Sequence, residues 1–245
     1  MKISFVIPAY NEEKYIGDCL RSVLQVTEGK PYPIEIVVVN NASTDRTAEI
    51  ARQFSGVRVV DESNKGLTRA RQKGFESTTG ELIANIDSDV RLPTEWLDIV
   101  LTEFERCSEL ACLSGPFIYH DLSPVHRFIT KMFYGIGFIF YRLNRLVSHH
   151  GAMAQGGNFI VRRTSLEKIG GYDTNIAFFG EDTDIARRMT QTGQVKFTFR
   201  LWVYTSGRRL KTQGVIRTGF KYALNYFWVI FFRKPLHKTY TDISC

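Results

Sequence analysis

Hydrophobic and polar residues alternate in regular blocks along the first ninety or so residues of the chain. Four short apolar runs, typical of buried strands, lie at 3–7, 34–39, 57–60 and 82–86. The three segments between them repeat apolar residues at helical spacing, as Ile16, Leu20 and Val23 do, and Asn11 is expected to cap the first of these helices. Strands that alternate with helices predict a parallel sheet with right-handed crossovers and helices on both faces.

A polar cluster follows each of the four predicted strands. The clusters lie at 8–12, 40–45, 61–66 and 87–89. The carboxyl ends of parallel strands lie along one edge of a sheet, and open α/β sheets bind their ligands beyond that edge. We therefore expect the four clusters to form a single binding site.

Asp87 and Asp89 directly follow the fourth predicted strand. Successive strand side chains alternate between faces, so both carboxylates are expected on the same side. Two neighbouring carboxylates repel each other, and a divalent cation with a bound pyrophosphate relieves that repulsion. The pair predicts a Mg²⁺ or Mn²⁺ site, with His126, His149 and His150 as weak candidates for a third ligand. The alternative is a solvated pair of aspartates at a strand end.

Beyond residue 92 the pattern changes character. It predicts a helix at 93–107, a helix after Gly180, and strands at 111–119, 155–161 and 195–204. Two aromatic segments with basic flanks, 126–150 and 220–232, are too short or too interrupted to span a bilayer and are typical of helices in a membrane interface. The alternative for the first is a helix buried by the tail. For the second it is a helix that joins two subunits in a homodimer.

Seven motifs resemble, in order and spacing, the signatures of family 2 glycosyltransferases. They are Pro8-Ala9-Tyr10-Asn11-Glu12-Glu13, Val39 to Asp45, Asn64-Lys65-Gly66 with Ala70-Arg71, Asp87-Ser88-Asp89, Gly156-Gly157-Asn158, Gly170-Gly171-Tyr172-Asp173 and Gly180-Glu181-Asp182-Thr183-Asp184. The resemblance covers roughly residues 3–210. It implies an α/β fold of the GT-A type, with a Rossmann-like, mostly parallel central sheet flanked by helices, to which this chain adds a C-terminal aromatic helical tail. It also implies metal-dependent transfer from a nucleotide sugar, with inversion at the anomeric carbon.

The resemblance gives the motif residues candidate roles. Those expected to bind the nucleotide sugar are Pro8, Ala9, Tyr10, Glu12, Asn41, Lys65, Arg71, Asp87 and Ser88. Those expected to bind the acceptor or the sugar are Gly156, Gly157, Asn158 and Glu181. Asp182 matches the general base of family members, and its alternative role is to place negative charge at a helix N-terminus. Outside the motifs, Arg208 and Arg209 are suited to phosphate oxygens, and a solvated basic loop is their alternative.

The chain departs from the family's pattern at Asn40 and Asn41, where the family often carries two acids. An acid there typically accepts a hydrogen bond from the nucleotide base. Asn41 can both donate and accept, so it can still read a base, but the preference of a carboxylate for the ring N–H of uracil is lost. A UDP-sugar is the favoured donor and a GDP-sugar the other expectation.

Charge and cysteine content indicate what kind of partner the protein binds and in which cellular compartment it lies. A net charge of +7 over 245 residues favours an anionic partner, such as a nucleotide sugar or a membrane surface. The absence of zinc ligands and of a recognition-helix pattern argues against nucleic acid. The four cysteines lack C-x-x-C spacing and the first residues do not read as a signal peptide, which together predict reduced thiols and a cytoplasmic protein on the inner face of the membrane.

These expectations give one leading function and two alternatives. The leading one is an inverting transferase whose catalytic domain covers 1–210, with a nucleotide-sugar half at 1–91, an acceptor half at 92–210 and a membrane-associating or oligomerising tail at 211–245. Its acceptor is a hydroxyl of a lipid-linked or membrane-associated glycan. The alternatives are a polyprenyl-phosphate glycosyltransferase, whose anionic acceptor needs no strong base, and a catalytically silent nucleotide-sugar-binding module.

Overall fold

The computed structural model describes residues 1–148, 152–232 and 236 of the chain. Its strands are β1 (Ile3–Ala9), β2 (Ile34–Asn40), β3 (Val57–Asp61), β4 (Leu82–Ile86), β5 (Leu110–Ser114), β6 (Phe117–Tyr119), β7 (Asn158–Arg162), β8 (Gln194–Phe197) and β9 (Val203–Thr205). Its helices are α1 (Ile16–Thr27), α2 (Thr47–Arg52), α3 (Leu67–Glu76), α4 (Trp96–Arg106), α5 (Pro124–Ser148), α6 (Arg163–Lys168), α7 (Glu181–Met189), α8 (Arg208–Gln213) and α9 (Val215–Phe232).

The central sheet has the strand order β3-β2-β1-β4-β7-β5-β8. The pairs β1–β2, β1–β4, β2–β3 and β5–β8 are parallel, whereas β7 runs antiparallel to both β4 and β5. A mostly parallel sheet with flanking helices is thereby confirmed. The carboxyl ends of β1, β2 and β4 lie side by side, as the polar clusters predicted.

Alternating side chains of β1 divide the core into two layers. Phe5 and Ile7 pack on one face of the sheet with residues of α1 and α4, and Val6 packs on the other face with residues of α3 and α7. All three side chains are fully buried, and burial of each such side chain contributes about 1.5–3 kcal/mol. Burial on both faces explains why the strands read as continuous apolar runs rather than as alternating ones.

The loop after β1 differs from the prediction. Asn11 does not cap α1, which begins five residues later at Ile16. Asn11 instead has a positive φ of 51°, and its side-chain oxygen accepts a hydrogen bond from the backbone N–H of Thr44 over 2.8 Å. The capping prediction was wrong because this side chain joins the loops after β1 and β2, a contact that the local pattern does not reveal.

The predicted strands at 111–119 and 195–204 each divide into two. Residues Gly115 and Pro116 separate β5 from β6, and a Cβ atom on Gly115 would lie 1.9 Å from the carbonyl oxygen of Leu201. The chain crosses itself here, and β6 pairs with β9 in a small parallel second sheet. This crossing brings the segment after β9, which carries Arg208, next to the carboxyl end of β4.

The two aromatic segments form α5 and α9, which pack against each other. Phe133 meets Phe220 and Phe140 meets Phe227 edge to face, with ring centroids 6.2 and 5.2 Å apart. None of the helices in the described part of the chain combines the length and apolar character needed to cross a bilayer. Cys19, Cys107 and Cys112 are free thiols, as expected, and Cys245 lies outside the described residues.

Candidate active site

A cavity of about 450 Å³ opens where the polar clusters meet the second half of the chain. The predicted site residues that line it are Pro8, Ala9, Tyr10, Glu12, Asn41, Lys65, Asp87, Ser88, Asp89, Gly156, Glu181, Asp182, Arg208 and Arg209. Arg71, Gly157 and Asn158 do not line it. The structure therefore brings together residues from both predicted halves, such as Glu12 and Arg208, which are 196 positions apart along the chain.

Asp87 and Asp89 lie at the end of β4, where each carboxylate contacts a different cation. Asp87 accepts a hydrogen bond from Nη2 of Arg71 over 3.1 Å. Asp89 lies 3.4 Å from Nη2 of Arg208 and accepts a hydrogen bond from the hydroxyl of Thr205 over 3.3 Å. Burial raises the pKa of Asp89 to about 6, an effect that Arg208 opposes and Asp87 reinforces. The end of β4 thus attracts positive charge strongly.

Glu12 contributes a third carboxylate to the same wall of the cavity. Its oxygens accept hydrogen bonds from both terminal nitrogens of Arg208, the one to Nη1 over 2.9 Å. Burial raises the pKa of Glu12 to about 7 despite this partner. One guanidinium therefore bridges Glu12 and Asp89.

Arg71 lies beneath the cavity rather than in its wall. Its side chain is fully buried, and it pairs with both Asp87 and Glu181. Burial alone lowers the pKa of an arginine, but the two carboxylates outweigh that effect and raise it. The predicted contact of Arg71 with the nucleotide sugar is therefore corrected: with no exposed surface, it acts by holding the two acids in place.

Asp182 and Glu181 open α7, after Gly180 in the left-handed conformation. The Asp182 carboxylate accepts hydrogen bonds from the backbone N–H groups of Gly156, over 3.2 Å, and Thr183, over 2.7 Å. Burial raises the pKa of Asp182 above its ordinary value, and these two hydrogen bonds oppose the rise. Burial likewise raises the pKa of Glu181 to about 7. Asp182 thus combines access to the cavity with a basicity above that of a solvated aspartate.

Gly156 and Gly157 let the chain before β7 approach these acids closely. A Cβ atom on Gly157, whose φ is +81°, would lie 2.1 Å from the carboxyl carbon of Asp87. A Cβ atom on Gly156 would lie 2.6 Å from an oxygen of Glu181. Any side chain at either position would displace an acid of the site.

Asn158 has a structural role that corrects its predicted contact with substrate. Its side chain is fully buried. Its oxygen accepts a hydrogen bond from the indole N–H of Trp96, and its nitrogen donates to the carbonyl oxygens of Gly115 and Leu201 over 3.0 and 2.7 Å. These bonds hold together the two chain segments that cross beside the cavity.

Asn41 is likewise committed to the protein's own backbone. Its side-chain nitrogen donates to the carbonyl oxygens of Glu62 and Asn64 over 3.0 and 2.9 Å, and its oxygen accepts from the N–H of Gly66 over 2.7 Å. The amide that we expected to read a base is thus used to hold the loop after β3. A carboxylate could not donate to two carbonyl oxygens, which gives a physical reason for an amide at this position.

The opposite wall of the cavity, formed by α5 and α9, was missed by sequence reasoning. Its apolar and aromatic lining comes from Phe133, Ile136, Phe140, Tyr222, Tyr226 and Phe227. Beside it, the hydroxyl of Tyr134 donates to Gln155 over 2.6 Å, directly next to Gly156. The helical period of these segments was visible in the sequence, but not which face of each helix turns inward.

The predicted third metal ligand finds little support. Among the described residues, no group of three or more His, Cys, Asp or Glu side chains is arranged to hold a metal. His126 lies on α5, where its ring contacts the hydroxyl of Ser123, and it does not line the cavity. His149 and His150 lie outside the described residues.

Comparison with known sequences relates the chain to sugar transferases. The family model for glycosyl transferase family 2 matches residues 4–170. A glucosyl-dolichyl phosphate glucuronosyltransferase of Haloferax volcanii is 23% identical over 239 residues, which make up 94% of this chain and 74% of that protein. A dodecaprenyl-phosphate galacturonate synthase of Rhizobium johnstonii is 32% identical over 121 residues, or 47% of this chain and 36% of that protein.

Solved structures share the fold. The mannosyltransferase PcManGT of Pyrobaculum calidifontis, solved with GDP-Man and Mn²⁺, has a TM-score of 0.66 at 19% identity, covering 95% of this chain and 64% of that one. Glucosyl-3-phosphoglycerate synthase of Mycobacterium tuberculosis, solved with Mn²⁺, UDP and phosphoglyceric acid, has a TM-score of 0.64 at 19% identity, covering 95% of this chain and 78% of that one. These likenesses confirm the GT-A type of fold.

Proposed function

Because the chain belongs to glycosyl transferase family 2, we propose that it is an inverting, metal-dependent transferase that moves a sugar from a nucleotide sugar to a lipid-linked acceptor at a membrane surface. The observation that carries this proposal is the two-sided cavity. One wall has the acids and cations of a diphosphate site, and the other is an apolar wall formed by α5 and α9. We assign catalysis to 1–210, divided at 91, and membrane attachment to the tail at 211–245 together with the exposed face of α5.

The donor set of the site fits a divalent cation. Mg²⁺ and similar ions are commonly held by one or two carboxylates together with substrate phosphates, and Asp87 and Asp89 supply such a pair. Asp89 and Glu12 already hold a cationic group, the guanidinium of Arg208. Two relatives of the same fold were solved with Mn²⁺. When bound, the cation would neutralise charge on the diphosphate leaving group.

Asp182 is the proposed general base. Its carboxylate lines the cavity and is fixed by two backbone N–H groups, and burial raises its pKa toward neutrality. A base with a pKa closer to the operating pH accepts a proton from an acceptor hydroxyl more effectively. The neighbouring Glu181 carboxylate is engaged by Arg71 beneath the cavity and is the weaker candidate.

The exposed face of α5 and α9 supports membrane attachment. Apolar residues recur every three or four positions along α5, all between 49% and 72% exposed: Val125, Phe128, Met132, Ile136, Ile139, Leu143 and Leu146. Four more are exposed on α9: Ile216, Phe220, Leu224 and Phe232. The stripe on α5 is about 31 Å long, and Lys131, Arg142 and Arg217 are exposed on the same helices. Apolar patches of this size mark interaction surfaces, and basic residues beside them favour anionic lipid on the inner face of the membrane.

The cavity also supports an acceptor with a hydrophobic chain. Ile136 and Phe140 both line the cavity and are exposed on α5, so the apolar lining of the cavity continues into the exposed face of α5. One relative is named for glucosyl-dolichyl phosphate and another for dodecaprenyl-phosphate galacturonate. A polyprenyl phosphate acceptor is therefore the second candidate, and Arg209, which lines the same cavity, is suited to its phosphate.

A nucleotide-sugar screen tests the proposal. UDP-, GDP- and dTDP-sugars are compared for Mn²⁺-dependent protection against thermal unfolding, with a UDP-sugar favoured, and the protective donor is then assayed for nucleoside diphosphate release with lipid-linked sugars or polyprenyl phosphate. Asp89→Asn, which weakens the charge facing the cation, should abolish both protection and turnover. Donor protection without turnover with any acceptor would favour a silent binding module. A concentration-dependent dimer that does not bind vesicles would favour subunit pairing through the tail.

A further inference from the structure

The guanidinium of Arg208 lies between two acids of the site, Glu12 and Asp89. Its two terminal nitrogens contact Glu12, and Nη2 also lies 3.4 Å from Asp89. Its guanidinium carbon lies 4.9 Å from the centre of the Tyr15 ring, so the group is stacked as well as paired. The side chain is 21% exposed and therefore faces the cavity rather than the core.

The backbone that carries Arg208 is fixed by contacts that do not involve the Arg208 side chain. Asp121 accepts hydrogen bonds from the N–H of Gly207, over 2.6 Å, and from the hydroxyl of Ser206, over 3.2 Å. Thr205, three positions before Arg208, contacts Asp89 through its own hydroxyl. The start of α8 is thus tied to its neighbours by contacts that do not involve the Arg208 guanidinium.

We propose that Arg208 is an exchangeable internal cation: it neutralises Asp89 and Glu12 before a divalent metal binds, leaves Asp89 when the metal arrives, and then pairs with the diphosphate of the donor. This inference rests on the proposed function for the identity of the diphosphate, but not for the competition with metal. It makes Arg208 a donor-binding residue that couples metal binding to donor binding.

Charge and geometry support the exchange. A guanidinium and a divalent cation cannot both occupy the side of Asp89 that faces the cavity, because their like charges repel at such short separation. Glu12 continues to hold one edge of the released guanidinium, and the planar group presents further N–H donors that match phosphate oxygens. Metal alone must therefore displace Arg208, whereas metal and nucleotide together provide Arg208 with a new partner.

The test measures metal and nucleotide binding separately. Mn²⁺ affinity is measured by electron paramagnetic resonance on the full chain without nucleotide, and the affinity for the tightest of UDP, GDP and dTDP is measured by calorimetry at saturating Mn²⁺. Arg208→Gln is expected to bind Mn²⁺ about five- to tenfold more tightly, since the competitor is gone. The same variant should bind the nucleotide about tenfold more weakly, since the diphosphate loses a charged donor.

Arg209→Gln is the matched control, because it removes the same charge one residue away. Its guanidinium lies over the ring of Phe178 at 4.5 Å, whereas that of Arg208 pairs with Glu12 and Asp89. Its Mn²⁺ affinity should change by less than about twofold, as expected for a more distant, partly screened charge. If Arg209→Gln gained as much Mn²⁺ affinity as Arg208→Gln, the effect would come from net charge alone, and the proposed exchange would be wrong.

Two further outcomes also decide the proposal. If Arg208→Gln weakens Mn²⁺ and nucleotide together, Arg208 only maintains the shape of the cleft. If that variant does not unfold cooperatively, Arg208→Lys replaces it: lysine keeps the charge but lacks the planar fork that pairs twice with Glu12 while reaching Asp89, so Mn²⁺ should bind more tightly and nucleotide more weakly than in the wild type. A lysine variant that matches the wild type in both affinities would overturn the proposal. The Mn²⁺ measurement uses no donor, so its failure is distinguishable from failure to transfer a sugar.

Discussion

Arg71 holds Asp87 from beneath the cavity, through a hydrogen bond of 3.1 Å donated by a fully buried guanidinium. The same guanidinium pairs with Glu181, which precedes the proposed base. One residue of α3 therefore fixes an acid at the end of β4 relative to the start of α7. The metal side and the acceptor side of the proposed site are joined through this single side chain.

The first prediction concerns that junction. Arg71→Met should lower the free energy of unfolding by about 3–5 kcal/mol, because it leaves the buried Glu181 carboxylate without its charged partner. Adding Glu181→Gln should recover part of this stability, since the unpaired buried charge is removed. Donor binding should not recover, because Asp87 still lacks its hydrogen-bond donor. Urea unfolding and calorimetric donor titration of the single and double variants measure the two effects.

Arg69→Met is the control for that prediction, because Arg69 lies exposed on the same helix. It should change the free energy of unfolding by no more than about 0.5 kcal/mol. A double variant in which donor affinity returns together with stability would contradict the proposed role of Arg71 in positioning Asp87.

The second prediction concerns the amide that replaces the family's usual acid. Asn41→Asp should cost about 1–3 kcal/mol, because the carboxylate would face the carbonyl oxygens of Glu62 and Asn64 with no hydrogen to donate. Asn40→Asp should cost less, because its side-chain contact with Asp61 is exposed to solvent. Thermal unfolding of both variants decides the matter. An Asn41→Asp variant as stable as the wild type would mean that the loop after β3 does not depend on these hydrogen bonds.

The third prediction concerns the exposed apolar face. Replacing Phe128, Ile216 and Leu224 with serine should release the protein from vesicles that contain anionic lipid, since these side chains are 55–64% exposed and contribute little to the core. Co-sedimentation with vesicles measures release, and the melting temperature should stay close to that of the wild type. Trp228, Phe231 and Phe232, near the end of α9, are a second set of aromatic residues for the same test, but the side chain of Phe231 lies outside the described residues.

Failure of the third prediction has two informative forms. A triple variant that loses cooperative unfolding would place these residues in a packed interface. A variant that leaves vesicle binding intact but changes the sedimentation coefficient of the soluble protein would favour a homodimer through α9. Vesicles of purely neutral lipid serve as the control for the basic residues Lys131 and Arg217, since electrostatic attraction requires anionic headgroups.

Local pattern was sufficient for some elements of the fold. The apolar run at 82–86 coincides with β4, because a strand buried on both faces has no polar position within it. We predicted one continuous strand at 111–119, but Gly115 and Pro116 interrupt it, and Gly-Pro is a recognised turn signal. A local sequence pattern cannot predict contacts between distant parts of the chain. Arg208 pairs with Glu12 across 196 positions. The hydrogen bonds from Asn41 to backbone oxygens likewise depend on the folded path of the loop after β3.

The same distinction applies to the site. Residue type and the family's motifs identified the acids that line the cavity, because ligands of open α/β sheets bind beyond the carboxyl ends of the strands, where Asp87 and Asp89 lie. They misassigned Arg71 and Asn158, both of which are fully buried and bonded to other parts of the chain. A polar residue in a motif can bind the substrate directly, or it can hold in place the residues that bind it. For Arg71 and Asn158, burial in the folded structure distinguishes these two roles.

The last prediction is that Asp182→Asn retains donor binding but loses transfer. The amide is nearly the same size, so packing at the start of α7 should persist, but it cannot take a proton from an acceptor hydroxyl. General base catalysis contributes about 10²–10⁴-fold, and the loss should appear in kcat rather than in donor affinity. Because burial raises the pKa of Asp182 above its ordinary 3.8, the wild-type rate should fall as pH is lowered through that raised pKa, where the carboxylate becomes protonated.

Glu181→Gln is the matched control, since it alters the adjacent acid, whose carboxylate pairs with Arg71 beneath the cavity. A larger rate loss there than in Asp182→Asn would move the base to Glu181. Full activity of Asp182→Asn with a polyprenyl phosphate would indicate an anionic acceptor that needs no base. A donor affinity that falls as far as the rate would mean that Asp182, through its hydrogen bond to Gly156, shapes the donor pocket instead. A donor titration beside a rate measurement in each variant separates these cases, because only a base lost from an otherwise intact site lowers kcat while leaving the donor affinity unchanged.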